Sequence, residues 1–358
     1  MRPRDLSAHV EYRAGRGIEE VARDRGLDPR ELVKLASNEN PYGTSPKAAD
    51  AIRAAAERAY AYPKTAHVDL TAAIAESWGV DAEQIWLAAG ADGALDYLAR
   101  AAIEPGDGVL VPSPGFAYYP MSARYHHGEV REYTLRKAEE FALTPGAVLA
   151  PYEGERIVYL TTPHNPTGAW IGLEGIEEIA RRVNEDTLLV VDEAYGEFSD
   201  EPSAVSLLDD HDNLAVTRTF SKAYGLAGLR IGYAVVPSAW ADAYAKVNTP
   251  FAANEIACRA GLAALEDEEH VDRTVETADW ARAYIREELD APTWESRGNF
   301  VLADVGDAAA VSDALEARGV IVRDCTNFGL PACIRITCGS KTETRRAVSE
   351  TNEVLAER

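Results

Sequence analysis

The chain of 358 residues reads as an α/β protein, with a large domain built on a mostly parallel sheet covered by helices and a smaller α+β domain at the C-terminus. Three observations predict this. From about Leu35 to Val236 short apolar runs alternate with helical patterns, and strands that alternate with helices form parallel sheets buried on both faces. After Pro237 the pattern changes to a long helical stretch and then short, separated strands. At roughly 150 residues per domain, the length accommodates about two cores.

Residues 1–35 are polar and rich in Arg and Glu, and predict an arm with a short helix from Ile18 to Arg25. The large domain is expected over 36–245. Ile85 to Ala88 is a strand, followed by the glycine turn Ala89-Gly90-Ala91-Asp92-Gly93 and a helix with Ala94, Leu95, Leu98 and Ala102 on one face. Val109 to Val111 is a strand ending at Pro112, Ile157 to Leu160 one ending at Thr161, and Leu188 to Val191 one ending at Asp192. Asn213 to Arg218 leads to Ser221-Lys222, and Ile231 to Val236 is a further strand. The small domain is expected over 246–358, with a helical stretch from about Asn254 to Leu289 and strands near Phe300 to Leu302, Val320 to Val322 and Ile334 to Ile336.

Charge narrows the partners. Asp and Glu number 59 against 36 Lys and Arg, for a net charge of −23. Such a surface repels nucleic acid and anionic membranes. The acids are spread along the whole chain, a solvated coat that suits a high-salt cytoplasm, where screening removes self-repulsion; the plainer alternative is an acidic mesophile protein. Cys258, Cys325, Cys333 and Cys338 contain no Cys-x-x-Cys pair, so neither a disulfide framework nor a zinc site is expected. No metal is expected at His126-His127 either, because neighbours on a strand face opposite ways. Gly15-Arg16-Gly17 follows no strand and reads as flexibility of the arm. A polar N-terminus and the lack of a long apolar run predict a soluble, cytoplasmic protein.

In open α/β sheets ligands bind outside the carboxyl ends of the strands. Here those ends carry Gly90-Ala91-Asp92, Pro114-Gly115-Phe116, Asn165-Pro166-Thr167-Gly168, Asp192-Glu193-Ala194-Tyr195 and Ser221-Lys222. Polar and aromatic specialists at successive strand ends imply one composite site. Leu188 to Glu193 looks like the acidic strand of an ATPase, but no Gly-x-x-x-x-Gly-Lys-Ser/Thr loop lies upstream. No Gly-x-Gly-x-x-Gly follows a strand, so a nicotinamide site lacks its fingerprint. What remains joins a lysine, a carboxylate three residues before a tyrosine, and an asparagine in one pocket.

Thr219-Phe220-Ser221-Lys222 with Arg230 eight residues after the lysine, Val190 to Tyr195, and Pro163 to Gly168 resemble, in the same order, the motifs of class I and II aminotransferases. Ser37 to Tyr42, Tyr62-Pro63, Gly90-Ala91-Asp92 and Ile334 to Gly339 resemble more narrowly the branch of that family acting on histidinol phosphate. The resemblance runs from about residue 5 to 350. It implies fold type I and the cofactor pyridoxal 5'-phosphate. Lys222 would bond covalently to the cofactor aldehyde and, once released by substrate, move the proton. Asp192 would pair with the pyridine nitrogen and keep it protonated. Tyr195 and Asn165 would reach the 3'-oxygen, and Phe116 would stack on the ring. Backbone N–H groups of Ala91 and Asp92 at a helix start, with Thr219, Ser221 and Arg230, would hold the phosphate. The Asp92 side chain is assigned to helix capping. Tyr62 would reach the phosphate in a neighbouring subunit, implying a homodimer with shared sites.

On the substrate side the resemblance implies Tyr12, Asn40, Arg323 and Arg335. Glu11 stands before Tyr12 where the family often has proline. Histidinol phosphate has no α-carboxylate, so Arg335 and Arg323 would hold its phosphate, and Arg335 a carboxylate of glutamate or 2-oxoglutarate. The implied reaction converts L-histidinol phosphate and 2-oxoglutarate to imidazole-acetol phosphate and glutamate. Each residue also has a plainer reading: Lys222 on the surface, Asp192 capping a helix, Asn165 shaping its Asn-Pro turn, Phe116 in the core. An aromatic amino-acid aminotransferase would share every cofactor residue, and a threonine-phosphate decarboxylase also pairs this scaffold with a phosphorylated substrate. A cofactor-binding regulator would need a DNA-binding module, which the sequence does not suggest and its charge opposes.

Overall fold

A computed structural model describes residues 6, 7, 9, 11, 12 and 15–358. Its strands are β1 (Val33–Leu35), β2 (Ile85–Ala88), β3 (Gly108–Ser113), β4 (Glu129–Thr134), β5 (Ile157–Thr161), β6 (Leu188–Asp192), β7 (Leu214–Thr219), β8 (Gly232–Val235), β9 (Phe300–Asp304), β10 (Val320–Asp324) and β11 (Cys333–Thr337). Seven of them form one sheet in the order β2-β8-β7-β6-β5-β3-β4. Within it β8 runs antiparallel to β2 and β7, and the other pairs are parallel.

The central strands β5, β6 and β7 are buried at every position, which is why β5 and β6 read as nearly continuous apolar runs and not as alternating patterns, while β7 is apolar only to Val216 and its buried Arg218 is paired with Glu193 and Glu197. Their residues divide strictly by face. Val158, Leu160, Leu189, Val191 and Val216 join one core, while Ile157, Tyr159, Leu188, Val190 and Ala215 join the other. The helix Gly90–Ala102 presents Ala94, Leu95, Leu98 and Ala102 to the second core, as its periodicity predicts.

A four-stranded sheet, β1-β10-β11-β9, forms the smaller unit around Val301, Ala303, Val320, Ile334 and Ile336. β10, β11 and β9 are antiparallel, and β1 is added in parallel beside β10. The arm helix Ile18–Arg25 forms as expected.

Three details differ from expectation. The stretch 254–289 is two helices, Glu255–Leu265 and Glu268–Glu288, separated at Asp267, whose carboxylate accepts a 2.6 Å hydrogen bond from Ser45. β4 was not foreseen, because this edge strand is largely exposed and reads Glu-Val-Arg-Glu-Tyr-Thr. His126 and His127 lie just past the helix Tyr118–Tyr125 and not on a strand; His126 Nε2 sits 2.8 Å from Asp96. Among the described residues no cluster of His, Cys, Asp and Glu could hold a metal, and no helix is long and apolar enough to cross a membrane. The four cysteines are free and buried.

We propose a division close to the one expected at 35 and 245, refined by two contacts. β1 completes the small sheet, so the end of the arm goes with the small domain. Helix Glu255–Leu265 packs on the helices Pro46–Ala55 and Lys64–Trp78, so it goes with the large one.

Candidate active site

Because β2, β3, β5, β6 and β7 all run the same way, their carboxyl ends open on one edge of the sheet. There they line a cavity of about 390 Å³, closed on its far side by residues of the arm and the small sheet. It brings together Ala91, Asp92, Phe116, Asn165, Asp192, Tyr195, Thr219, Ser221, Lys222 and Arg230 with Tyr12, Arg323 and Arg335.

At the floor, Asp192 is buried at the end of β6. Its Oδ1 accepts from the Ala194 N–H at 3.0 Å and its Oδ2 from the Tyr119 hydroxyl at 2.6 Å. Burial pushes the carboxyl up to about 6, held back by the bonds from Tyr119 and Ala194. Lys222 donates from Nζ to the Ser37 carbonyl at 3.1 Å. Burial, and then the positive charge of Arg335, lower its amine to about 8, so a neutral nucleophilic form is accessible near neutral pH. The Tyr195 hydroxyl accepts from Asn38 Nδ2 at 2.9 Å, which leaves its own proton available to an acceptor in the cavity.

Donors gather at one end. The Thr219 hydroxyl lies 3.0 Å from Ser221 Oγ, which lies 3.4 Å from Arg230 Nη1. The start of the helix Gly90–Ala102 faces the same spot, and its first N–H groups have no intrahelical acceptor. Gly90 opens the helix at φ +81°, a conformation that favours glycine, and it brings the helix start against the Arg230 guanidinium. Ala89, before the helix, offers no side-chain cap, and the Asp92 carboxylate accepts from its own N–H in the first turn. It pairs with Arg230 at 3.1 Å, because the third residue of this helix points across the cavity mouth toward that guanidinium.

The opposite end carries two arginines directly across from one another: Arg323 on β10 and Arg335 on β11 are register partners of an antiparallel pair. Like charges so placed repel, and burial, with the charge of Arg323 adding to it, lowers the pKa of Arg335. Arg335 is only 5% exposed, yet its partners are the side-chain oxygen of Asn165 and the Ala36 carbonyl; its Nε has no hydrogen-bond partner, and among the described residues no carboxylate pairs with it. A buried cation without a counter-charge costs several kcal/mol, about what an entering anion offsets. Tyr12 stands edge-on to Phe116 at 6.1 Å between ring centres, and burial raises its hydroxyl pKa.

Two expected residues lie elsewhere. Asn40 does not line the cavity; its Nδ2 donates to the Ala223 carbonyl at 2.7 Å and to the Thr274 hydroxyl at 3.0 Å, tying its loop to the helix Glu268–Glu288. Its motif turns the chain immediately after Asn38, so the second asparagine points away. Tyr62 is 74% exposed and stacks on Phe251 at 4.3 Å, outside its own chain's cavity. Gly15, read as arm flexibility, lines the cavity, and Arg16 beside it pairs with Glu20 and Glu316. Sequence reasoning overlooked Asn38, Tyr119 and Thr161, although Asn38 stood inside the motif Ser37 to Tyr42 and Thr161 closed a readable strand.

The donor set fits a ligand with an anionic group at the Arg230 end, a basic ring nitrogen at Asp192 and an electrophilic carbon within reach of Lys222. The model of the family Aminotransferase class I and II matches residues 30–350. The histidinol-phosphate aminotransferase of Haloarcula marismortui is 66% identical over 357 residues, covering 100% of this chain and 99% of that protein. The crystal structure of histidinol-phosphate aminotransferase from Sinorhizobium meliloti in complex with pyridoxal-5'-phosphate superposes with a TM-score of 0.89 at 28% identity, covering 99% of this chain and 98% of that one. A single mutant of Thermus thermophilus aspartate aminotransferase superposes with a TM-score of 0.84 at 26% identity, covering 99% of this chain and 100% of that one. From its sequence, its fold and the composite site at the strand ends, the chain belongs to the class I and II aminotransferases.

Proposed function

We propose that this chain uses pyridoxal phosphate to transfer the amino group of L-histidinol phosphate to 2-oxoglutarate, forming imidazole-acetol phosphate and glutamate. The observation that carries the substrate is the facing pair Arg323 and Arg335, with Arg335 buried and lacking an acid partner. The solved aspartate aminotransferase shares the fold, so the fold alone does not choose the substrate.

When bound, pyridoxal phosphate supplies an aldehyde that takes up the amino group and a ring that draws off electrons from the substrate carbon. The helix start at Ala91 and Asp92, with Thr219, Ser221 and Arg230, would hold its phosphate. Asp192 would keep the ring nitrogen protonated, Tyr195 and Asn165 would lie beside the 3'-oxygen, and Phe116 would bound the ring. Nζ of Lys222 would hold the cofactor covalently and then, as a free amine, take the proton from the substrate carbon and return it to the cofactor carbon. Arg335 would hold the substrate's phosphate, joined by Arg323, and in the second half-reaction a carboxylate of glutamate. Tyr12, about half exposed, and Phe116 would bound the space between.

Losing one charged partner of a desolvated oxyanion costs about 2–5 kcal/mol, or roughly 30- to several-thousand-fold in specificity. Arg335→Ala is expected to impair both half-reactions by such a factor. Arg323→Ala is expected to impair histidinol phosphate more than glutamate, because a dianionic phosphate gains more from a second cation. Single-turnover efficiencies with each amino donor give the ratio; a ratio unchanged in Arg323→Ala removes Arg323 from the phosphate site and favours an aromatic donor.

We also propose a cytoplasmic homodimer in which Tyr62 serves the neighbouring site. Its exposure and its place outside its own cavity support this. Mixed Tyr62→Phe and Lys222→Ala subunits are expected to recover activity, since each heterodimer would hold one intact site. Proven heterodimers without recovery would confine Tyr62 to its own chain.

A further inference from the structure

We propose that Tyr119 is a positioning residue for Asp192, holding the carboxylate ionised and fixed at the floor of the cavity. This rests on the proposed pairing of Asp192 with the cofactor ring, and goes beyond it by naming what keeps the acid competent.

The geometry is a chain of donors. Thr161 on β5 and Asp192 on β6 are register neighbours in the sheet. Tyr119, from the helix Tyr118–Tyr125, reaches over both, its hydroxyl 2.7 Å from Thr161 Oγ1 and 2.6 Å from Asp192 Oδ2. An ionised carboxylate only accepts, so Tyr119 donates to Asp192 and is free to accept from Thr161. Donation in series strengthens each bond, and a bond to a charged acceptor is about twice as strong as a neutral one. The ring cannot swing away. It is 1% exposed, stacked on Tyr159 at 4.8 Å and edge-on to Phe116 at 5.6 Å.

The other groups around Asp192 do not replace this bond. Asp92 on the helix Gly90–Ala102 is an acid and opposes its charge, Tyr159 on β5 and Tyr195 after β6 are neutral phenols, the Ala194 N–H adds one donor, and the Thr217 hydroxyl on β7 makes no hydrogen bond. Of the two hydrogen bonds on the carboxylate, that from Tyr119 is the shorter, 2.6 Å against 3.0 Å from the Ala194 N–H. Without it the carboxylate binds a proton more tightly and draws the shared proton from the ring nitrogen to itself.

Tyr119→Phe removes one oxygen and keeps the ring. Difference infrared titration of the full chain without cofactor follows the Asp192 carboxyl band, identified by its loss in Asp192→Asn. Its midpoint is expected to rise by about one to two pH units in Tyr119→Phe, and by less in Thr161→Val. In holoenzyme carrying 15N-labelled pyridoxal phosphate, the ring-nitrogen signal is expected to move toward that of neutral pyridine in Tyr119→Phe, with kcat falling and KM nearly constant. An infrared midpoint unmoved in Tyr119→Phe overturns the proposal. A midpoint that rises while the nitrogen signal ignores Asp192→Asn upholds the Tyr119 tie and sinks the cofactor pairing instead.

Discussion

Lys222→Ala is expected to lose covalently held cofactor and nearly all transamination. Among the described residues no other lysine lines the cavity. The side chain is partly buried there, and desolvation with the nearby Arg335 charge lowers the amine to about 8, toward the neutral form needed for attack on an aldehyde. The same amine is the proposed proton carrier, so alanine removes both the tether and the base. General-base catalysis alone contributes about 10²- to 10⁴-fold. Borohydride reduction of the wild-type holoenzyme followed by mass spectrometry is expected to find the pyridoxyl group on Lys222. A label on another lysine would move the whole site.

Asp192→Asn is expected to slow transamination by about 10³-fold, the range over which a preorganised charge matters, while the fold persists. Persistence follows from the sign of the pKa change. Burial raises this carboxyl from 3.8 to about 6, so ionised Asp192 opposes folding of the cofactor-free chain. That cost is absent below about pH 4, grows between pH 4 and 6, and is complete above 6, where it is of order 3 kcal/mol. Asparagine does not ionise. The cofactor-free variant should therefore match or exceed wild type in melting temperature at pH 7, with the difference shrinking toward pH 4. A variant both inactive and much less stable at pH 7 would assign Asp192 to structure alone, and near-normal turnover would refute the pyridinium pairing.

The large sheet was legible because parallel strands buried on both faces are continuous apolar runs; β2, β3, β5 and β6 carry little else, and β7 opens with one. β4 was not, since an exposed edge strand needs only one good face. β1, three residues long, has too short a pattern to read and exists because β10 offers it a partner.

Alone, the sequence determined which chemistry stands at the strand ends. Lys222, Asp192, Tyr195 and Asn165 each sit a fixed few residues beyond a readable strand, and the shared direction of parallel strands delivers such residues to one edge. Only the tertiary structure decided what those residues touch. That Tyr119 bridges Thr161 and Asp192 depends on β5 lying beside β6 and on where one helix crosses them. That Arg323 faces Arg335 depends on the antiparallel register of β10 and β11, where a slip of one residue would send one guanidinium to the other face. That Asn40 leaves the site for Thr274, while Asn38 remains at Tyr195, depends on a helix more than two hundred residues away in the chain. Hydrogen bonds and ion pairs act over a few ångströms in space, and separation along the chain does not encode that distance until the core has packed.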